Sequence, residues 1–231
     1  MKRFLLYLIS FVIVVFLAIW IFIGVSSEPL PSATGSNQDA ELLANKMLKA
    51  INKDAYDNIS LIEWSFPRGH HFIWDKTKNQ VTASWGENKV IFYPNDLTGT
   101  AFIGDSKVED PDLMNELMQK AWALFANDSF WLVAPYKVRD PGTSRSIVET
   151  DRGTGLLVTY SSGGVTPGDS YLWILDEEGK PVAWKMWVSI IPIKGLEFTW
   201  EGEETHLNSW FAPVHKGPMG VGVDLKIHRV E

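Results

Sequence analysis

A run of twenty residues, Phe4 to Ile23, holds one clearly polar side chain, Ser10, and no charge. Wound as an α-helix it spans about 30 Å, the thickness of a bilayer's hydrocarbon core. Lys2 and Arg3 precede the run, and the next charged residue is Glu28. Basic flanks stay on the cytoplasmic side, so residues 1–23 are expected to form a single-pass anchor in a bacterial inner membrane. Everything beyond would then lie in the periplasm or otherwise outside the cytoplasm. Gly24 and Ser26 make a small-x-small pair suited to signal cleavage. Secretory apolar cores usually run about 7 to 15 residues, however, and the greater length here favours a retained segment.

Residues 24–38, GVSSEPLPSATGSNQ, are rich in Ser, Pro and Gly and lack apolar periodicity. They are expected to be a flexible linker. All 28 acidic residues follow the apolar run, with 19 of the 21 basic ones, so the exported part carries about −9. That balance disfavours nucleic acid and anionic lipid surfaces as partners. The chain has no Cys. Disulfides, thiolate metal sites, Cys nucleophiles and acylation at an N-terminal cysteine are thereby excluded.

The remaining stretch, 39–231, is long enough for one sizeable domain and shows neither internal repeats nor a second linker. DAELLANKMLKAI, from Asp39, places Leu42, Leu43, Lys46, Met47, Ala50 and Ile51 near helical spacing, with Ser36, Asn37 or Asp39 as cap. Short apolar runs then predict strands at 59–66, 71–74, 80–85 and 90–93, joined as hairpins. A second helix is predicted from about Asp110 to Ala126, with Leu113, Leu117, Met118, Ala121, Trp122 and Phe125 as its buried stripe and Asn127 ending it. Beyond, Phe130 and Trp131 are expected to begin a buried strand, and further strands are predicted at 146–151, 155–160, 170–175, 181–191, 196–200, 205–211 and 220–230. In the long 181–191 run, Val182, Trp184, Met186, Val188 and Ile190 share one side, while Trp187 faces the other and is expected to be covered by a loop or neighbouring strand. The pattern is α+β: a mainly antiparallel sheet with about two helices.

At residues 126–142, ANDSFWLVAPYKVRDPG, and 163–171, GGVTPGDSY, the chain resembles an uncharacterised family of exported bacterial proteins. That family is similar to the lipoprotein-carrier group, which includes the periplasmic carrier LolA and the mycobacterial lipid-binding lipoprotein LppX. The resemblance covers roughly Asp39 to Glu231 and implies a curved half-barrel sheet whose concave, apolar side is covered by helices. The carrier itself is soluble, whereas this chain is expected to keep its anchor, which puts a shuttling role in doubt. The same motifs read locally as turns, Asp140-Pro141-Gly142 and Thr166-Pro167-Gly168-Asp169, and so as fold-making residues.

Catalytic patterns are sparse. His70 and His71 are adjacent and must point to opposite faces of a strand, and no HExxH, GxSxG, Walker loop or GxGxxG occurs. Glu201, Glu203 and Glu204 fall at a charged turn, His215 in a loop and His228 on a wet strand face. No metal, no cofactor and no catalytic residue is expected. Ten Trp residues lie beyond the apolar run, more rings than one sheet face needs as filler. A half-barrel covered incompletely would leave a cavity for a lipid or other hydrophobic ligand, with Trp85, Phe92, Trp122, Trp131, Trp184, Phe198 and Trp200 as cavity or core candidates and Lys137 and Arg139 as rim candidates. Two rival readings remain: a fully packed half-barrel that docks an envelope protein, and a sugar-binding domain with Trp rings on a flat outer surface.

Overall fold

The structure, a computed structural model, describes residues 2–231, with side-chain placement at all of them except positions 2–6, 8–10 and 18–19. Helix α1 covers Lys2–Ser26. Among the described residues no helix is long and apolar enough to cross a membrane; the anchor expected over residues 1–23 falls partly on side chains outside the described ones.

The domain begins with α2 (Asn37–Ala50), two residues earlier than its apolar pattern suggests. Ser36 caps it: the Asp39 amide donates to Ser36 Oγ, and the Asp39 carboxylate accepts from the Ser36 amide at 3.1 Å. Its buried face is Ala40, Ala44, Met47 and Ile51, while Leu42 points to solvent. The predicted stripe is therefore rotated, because small alanines let the helix approach the sheet closely where leucines would hold it off. A short α3 (Lys53–Asp57) follows.

Six strands then run as an antiparallel meander: β1 (Leu61–Phe66), β2 (His70–Asp75), β3 (Gln80–Trp85), β4 (Asn88–Tyr93), β5 (Thr98–Ile103) and β6 (Ser106–Lys107). The last two were not foreseen, since TGTAFI is short and glycine-broken. Helix α4 (Pro111–Val133) crosses the inner face of β3, β4 and β5. Asp110 caps it, accepting from the Leu113 amide at 2.8 Å. The helix does not end at Asn127. Asp128 is buried and its carboxylate is occupied by His70 and Asn127, so it starts no turn. The helix runs to Val133 and gives way to a 3-10 turn at 134–137, because Pro135 has no N–H for the carbonyl one turn back. Phe130 and Trp131 are thus helical, and the strand expected there does not form.

A second antiparallel sheet follows: β7 (Thr143–Thr150), β8 (Gly153–Tyr160), β9 (Ser170–Leu175), β10 (Pro181–Trp187) and β11 (Leu196–Thr199). The predicted 205–211 strand is a hairpin, β12 (Glu204–His206) and β13 (Ser209–Phe211), turned by Leu207 and Asn208 with positive φ. The 220–230 strand is likewise divided. β14 (Val214–Lys216) pairs with β15 (Gly222–Asp224), Leu225 is buried between, and β16 (Lys226–Val230) returns to pair with β1.

The result is an α+β fold, mainly antiparallel, in which a seven-stranded and a five-stranded sheet curve around one core. Ile62, Trp64, Phe72, Val81, Val90 and Phe92 enter that core from the first sheet. Ile147, Leu156, Val158, Trp173 and Trp184 enter it from the second. Helices α2 and α4 lie on this inner side. The outer face of the second sheet carries a small apolar patch of Val148, Leu157 and Leu172, covered by Trp187. Residues 27–36, expected as a flexible linker, instead form an extended strap over that face. Trp187 Nε1 donates to the Glu28 carbonyl at 2.9 Å, Lys185 pairs with the Glu28 carboxylate at 2.8 Å, and the Thr34 amide donates to the Ile147 carbonyl at 2.9 Å. The last of these pairs a carbonyl on the open edge strand β7, while the first two tie side chains on the outer face of β10 to the strap.

Candidate functional site

The C-terminal half of α4 departs from the first sheet and bridges to the second. Its N-terminal half is spent on Leu117, Met118 and Ala121, which seat it on β3 to β5. One turn on, Trp122, Ala126, Asn127, Ser129, Phe130 and Trp131 border a cavity of about 430 Å³. Trp74 of β2 closes one side, and Tyr160 of β8, Tyr171 of β9 and Trp184 and Met186 of β10 form the opposite wall.

The wall is a ring lattice. Trp184 stands at its centre, with Trp131 edge-on at 5.1 Å between centroids, Tyr171 at 4.8 Å and Trp173 at 5.0 Å. Phe130 meets Tyr171 at 4.9 Å and Tyr160, edge-on, at 5.3 Å. Such offset and edge contacts fix the rings as well as attract them, so the wall is preformed. Phe125 of α4 also borders the cavity, between its Trp74 and Trp122 walls, and packs behind against Phe72 and Phe92.

The mouth is made by two loops. Residues 162–166 (SGGVT) form one lip, and Val188, Ile190 and Ile191 the other. Asp169 joins them: its carboxylate accepts from Thr166 Oγ1 at 2.5 Å and from the Ser189 amide at 2.8 Å. Gly168, at φ +101°, makes the turn that aims Asp169 inward. Lys194 Nζ braces the second lip, donating to the Val188 carbonyl at 2.5 Å and the Ile191 carbonyl at 2.9 Å. At the rim Lys137 pairs with Asp140 at 2.6 Å. The mouth therefore carries the Lys137–Asp140 ion pair and the hydrogen-bonded Asp169 carboxylate amid apolar surface.

Of the residues singled out from sequence, Trp122, Trp131 and Trp184 line this cavity and Lys137 borders it. Phe198 and Trp200 stand one ring behind: Phe198 meets Trp131 at 5.0 Å, and Trp200 meets Trp184 at 5.0 Å. Phe92 is fully buried under α4. Trp85 packs at the far end of β3 and is not part of the lining. Arg139 is also elsewhere. It pairs with Glu41 of α2, beside Arg145, whose guanidinium holds the Glu41 carboxyl below its ordinary range. Trp74, Phe130, Tyr160 and Tyr171 were missed as lining. One signal was legible: Trp184 and Met186, read as one side of a strand, border the cavity from β10, but the strand predicted to reach Ile191 ends at Trp187, and Val188, Ile190 and Ile191 border the cavity from the loop that follows.

The titratable groups nearby are tuned by burial. Asp128, beneath the wall, accepts from His70 at 2.7 Å and Asn127 at 2.9 Å; burial nonetheless pushes its carboxyl up. Burial likewise raises the Tyr160 phenol well above its ordinary range, so it stays neutral. His215 proves to be a strand residue, not a loop one, 1% exposed under Trp131 and Trp200. Its Nδ1–H donates to the Thr199 carbonyl at 3.0 Å, and burial pushes the imidazole down to about 4. His70 and His71 do point to opposite faces: His71 meets Ser65 and Glu63 on the outside. Among the described residues no three His, Asp or Glu side chains gather as metal ligands.

No protein-family profile matches the chain, and no curated protein matches it. Among solved structures it is similar to a DUF1329 family protein from Desulfovibrio piger, at 10% identity and a TM-score of 0.40, over 83% of this chain and 92% of that one.

Proposed function

We propose that this protein is a membrane-tethered, extracytoplasmic binding protein for a lipid or other hydrophobic ligand, acting without covalent catalysis. One observation carries the reading: a 430 Å³ aromatic cavity that opens between two lips instead of being filled by the core. That volume falls within the range of about 300 to 1,000 Å³ usual for small-molecule sites, and the lining is of the apolar kind with few polar groups that such sites use. The rival packed half-barrel would need side chains in that space. The proposed tether rests on α1, whose Phe11, Phe16, Trp20 and Ile21 are exposed with no protein surface over them, together with its basic flank. The lipoprotein-carrier resemblance read from residues 126–142 and 163–171 would imply the same ligand class.

The test is native mass spectrometry of the full chain released from membranes in mild detergent, followed by organic extraction and lipid identification. A stoichiometric lipid is the expected result. A ligand-free mass, together with no uptake of a fluorescent fatty acid, would overturn the reading and favour a protein-docking role.

A further inference from the structure

The strap leaves α1 beside the cavity mouth. Ser27 and Glu28, directly after the helix, grip the loop that forms the second lip: the Lys194 amide donates to Ser27 Oγ at 3.2 Å, and the Glu28 amide donates to the Lys194 carbonyl at 2.9 Å. Lys194 in turn holds the Val188 and Ile191 carbonyls. Only residues 24–26 separate the end of the apolar run, Ile23, from this clamp, about 5 Å of helix. At the same mouth two aliphatic side chains stand out into solvent, Ile190 at 65% exposed and Val165 at 45%, one on each lip.

We infer that the two lips rest on the outer surface of the bilayer that holds α1, with Ile190 and Val165 in its interfacial layer, so that a lipid passes from membrane to cavity without crossing water. This rests on the proposed tether and cavity, and it adds the partner and the route. A coil of fifteen free residues would let the domain tumble some tens of ångströms from the membrane; the clamp at Lys194 removes that freedom. The occupant is a bilayer surface because the lip residues are aliphatic, few and unpaired, and because the hydrophobic helix ends next to them. Contact is apolar in origin. The Lys137–Asp140 pair adds no net charge to the rim, and the negative domain gains nothing from anionic lipid.

The chain's lack of Cys permits a clean test. The full-length variants Ile190→Cys, Val165→Cys and, as control, Glu87→Cys would each carry an environment-sensitive fluorophore. Glu87 is exposed in the β3–β4 turn, about 20 Å along β4 from Pro94 at the cavity. Reconstitution into phosphatidylcholine vesicles containing doxyl-labelled lipid should quench positions 190 and 165 at least twofold more than 87. Equal, weak quenching at all three in carbonate-resistant vesicles would overturn the docking. Release of the chain by carbonate would overturn the tether and the docking with it. Native mass spectrometry of the same variants, released from the vesicles in mild detergent, separates the two ideas. A filled cavity with unquenched lips sinks only the docking, and quenched lips over a lipid-free cavity sink only the ligand reading.

Discussion

At the scale of single residues, position in the ring lattice decides what a substitution does. Trp122 is half-buried at the cavity edge, whereas Trp184 is 1% exposed and touches Phe130, Trp131, Tyr171, Trp173 and Trp200. Trp184→Ala is expected to cost about 3 to 5 kcal/mol of folding stability. Trp122→Ala should instead weaken binding of a fluorescent fatty acid at least fivefold while shifting the urea midpoint much less. Comparable losses of stability in both would assign Trp122 to the core. His215 makes a pH prediction whose sign follows from burial. Its folded-state value, about 4, lies below the ordinary 6.5, so the unfolded chain takes up the proton first as pH falls. Its contribution is complete above about pH 6.5, declines below it, and is gone once pH passes through 4, a loss of about 3 kcal/mol at most. Urea titrations between pH 7 and 4 should show that decline, and His215→Phe should flatten it.

At the scale of elements, backbone approach matters more than side-chain pattern. Gly99 of β5 lies opposite Phe92 of β4, and a Cβ there would meet the Ile91 carbonyl oxygen at 2.0 Å and Phe92 Cα at 2.8 Å. Both are main-chain atoms that cannot swing aside. Gly99→Ala is therefore expected to lower stability by about 1 to 3 kcal/mol and to speed amide exchange in β5 before other strands. An unchanged melting temperature would show that the ladder yields. Helix α2 was legible because a Ser cap and an amphipathic period coincide, although its buried face is displaced toward Ala40 and Ala44. The length of α4 was not legible. Asn127 and Asp128 carry a stop signal in any local window, and only the meeting of Asp128 with His70, 58 residues away, cancels it. For the same reason Trp131 was placed in a strand although its candidacy for the cavity did not depend on that.

At the scale of the whole molecule, a cavity roofed by one helix and two loops is a linkage device. A ligand that binds only the folded state adds about 2.7 kcal/mol when present at a hundredfold its Kd. For a domain of this size that raises the melting temperature by roughly 5 to 10 °C. Delipidated chain titrated with a matching fatty acid or phospholipid should show such a rise, and a flat response across acyl lengths would argue against an acyl ligand. The strap extends the same logic, because the lip braced by Lys194 is also the lip gripped by Ser27 and Glu28.

The amino-acid sequence by itself determined the apolar N-terminal run, the negative charge of the residues that follow it, the absence of thiol chemistry, the antiparallel alternation and the turns at Pro141-Gly142 and Pro167-Gly168, because each is read from composition or from neighbours within a few residues. It also marked part of one wall of the cavity, since strand alternation puts Trp184 and Met186 of β10 on one side, whereas Val188 and Ile190 lie beyond the strand's end at Trp187 and reach the cavity from a loop. Only the tertiary structure decided which aromatic rings line space and which fill it. Trp131 and Trp200 are both expected in strands from their sequence, yet one borders the cavity from α4 and the other stands behind Trp184. That choice depends on where α4 leaves one sheet for the other, a balance of contacts among residues more than fifty positions apart that no local pattern records.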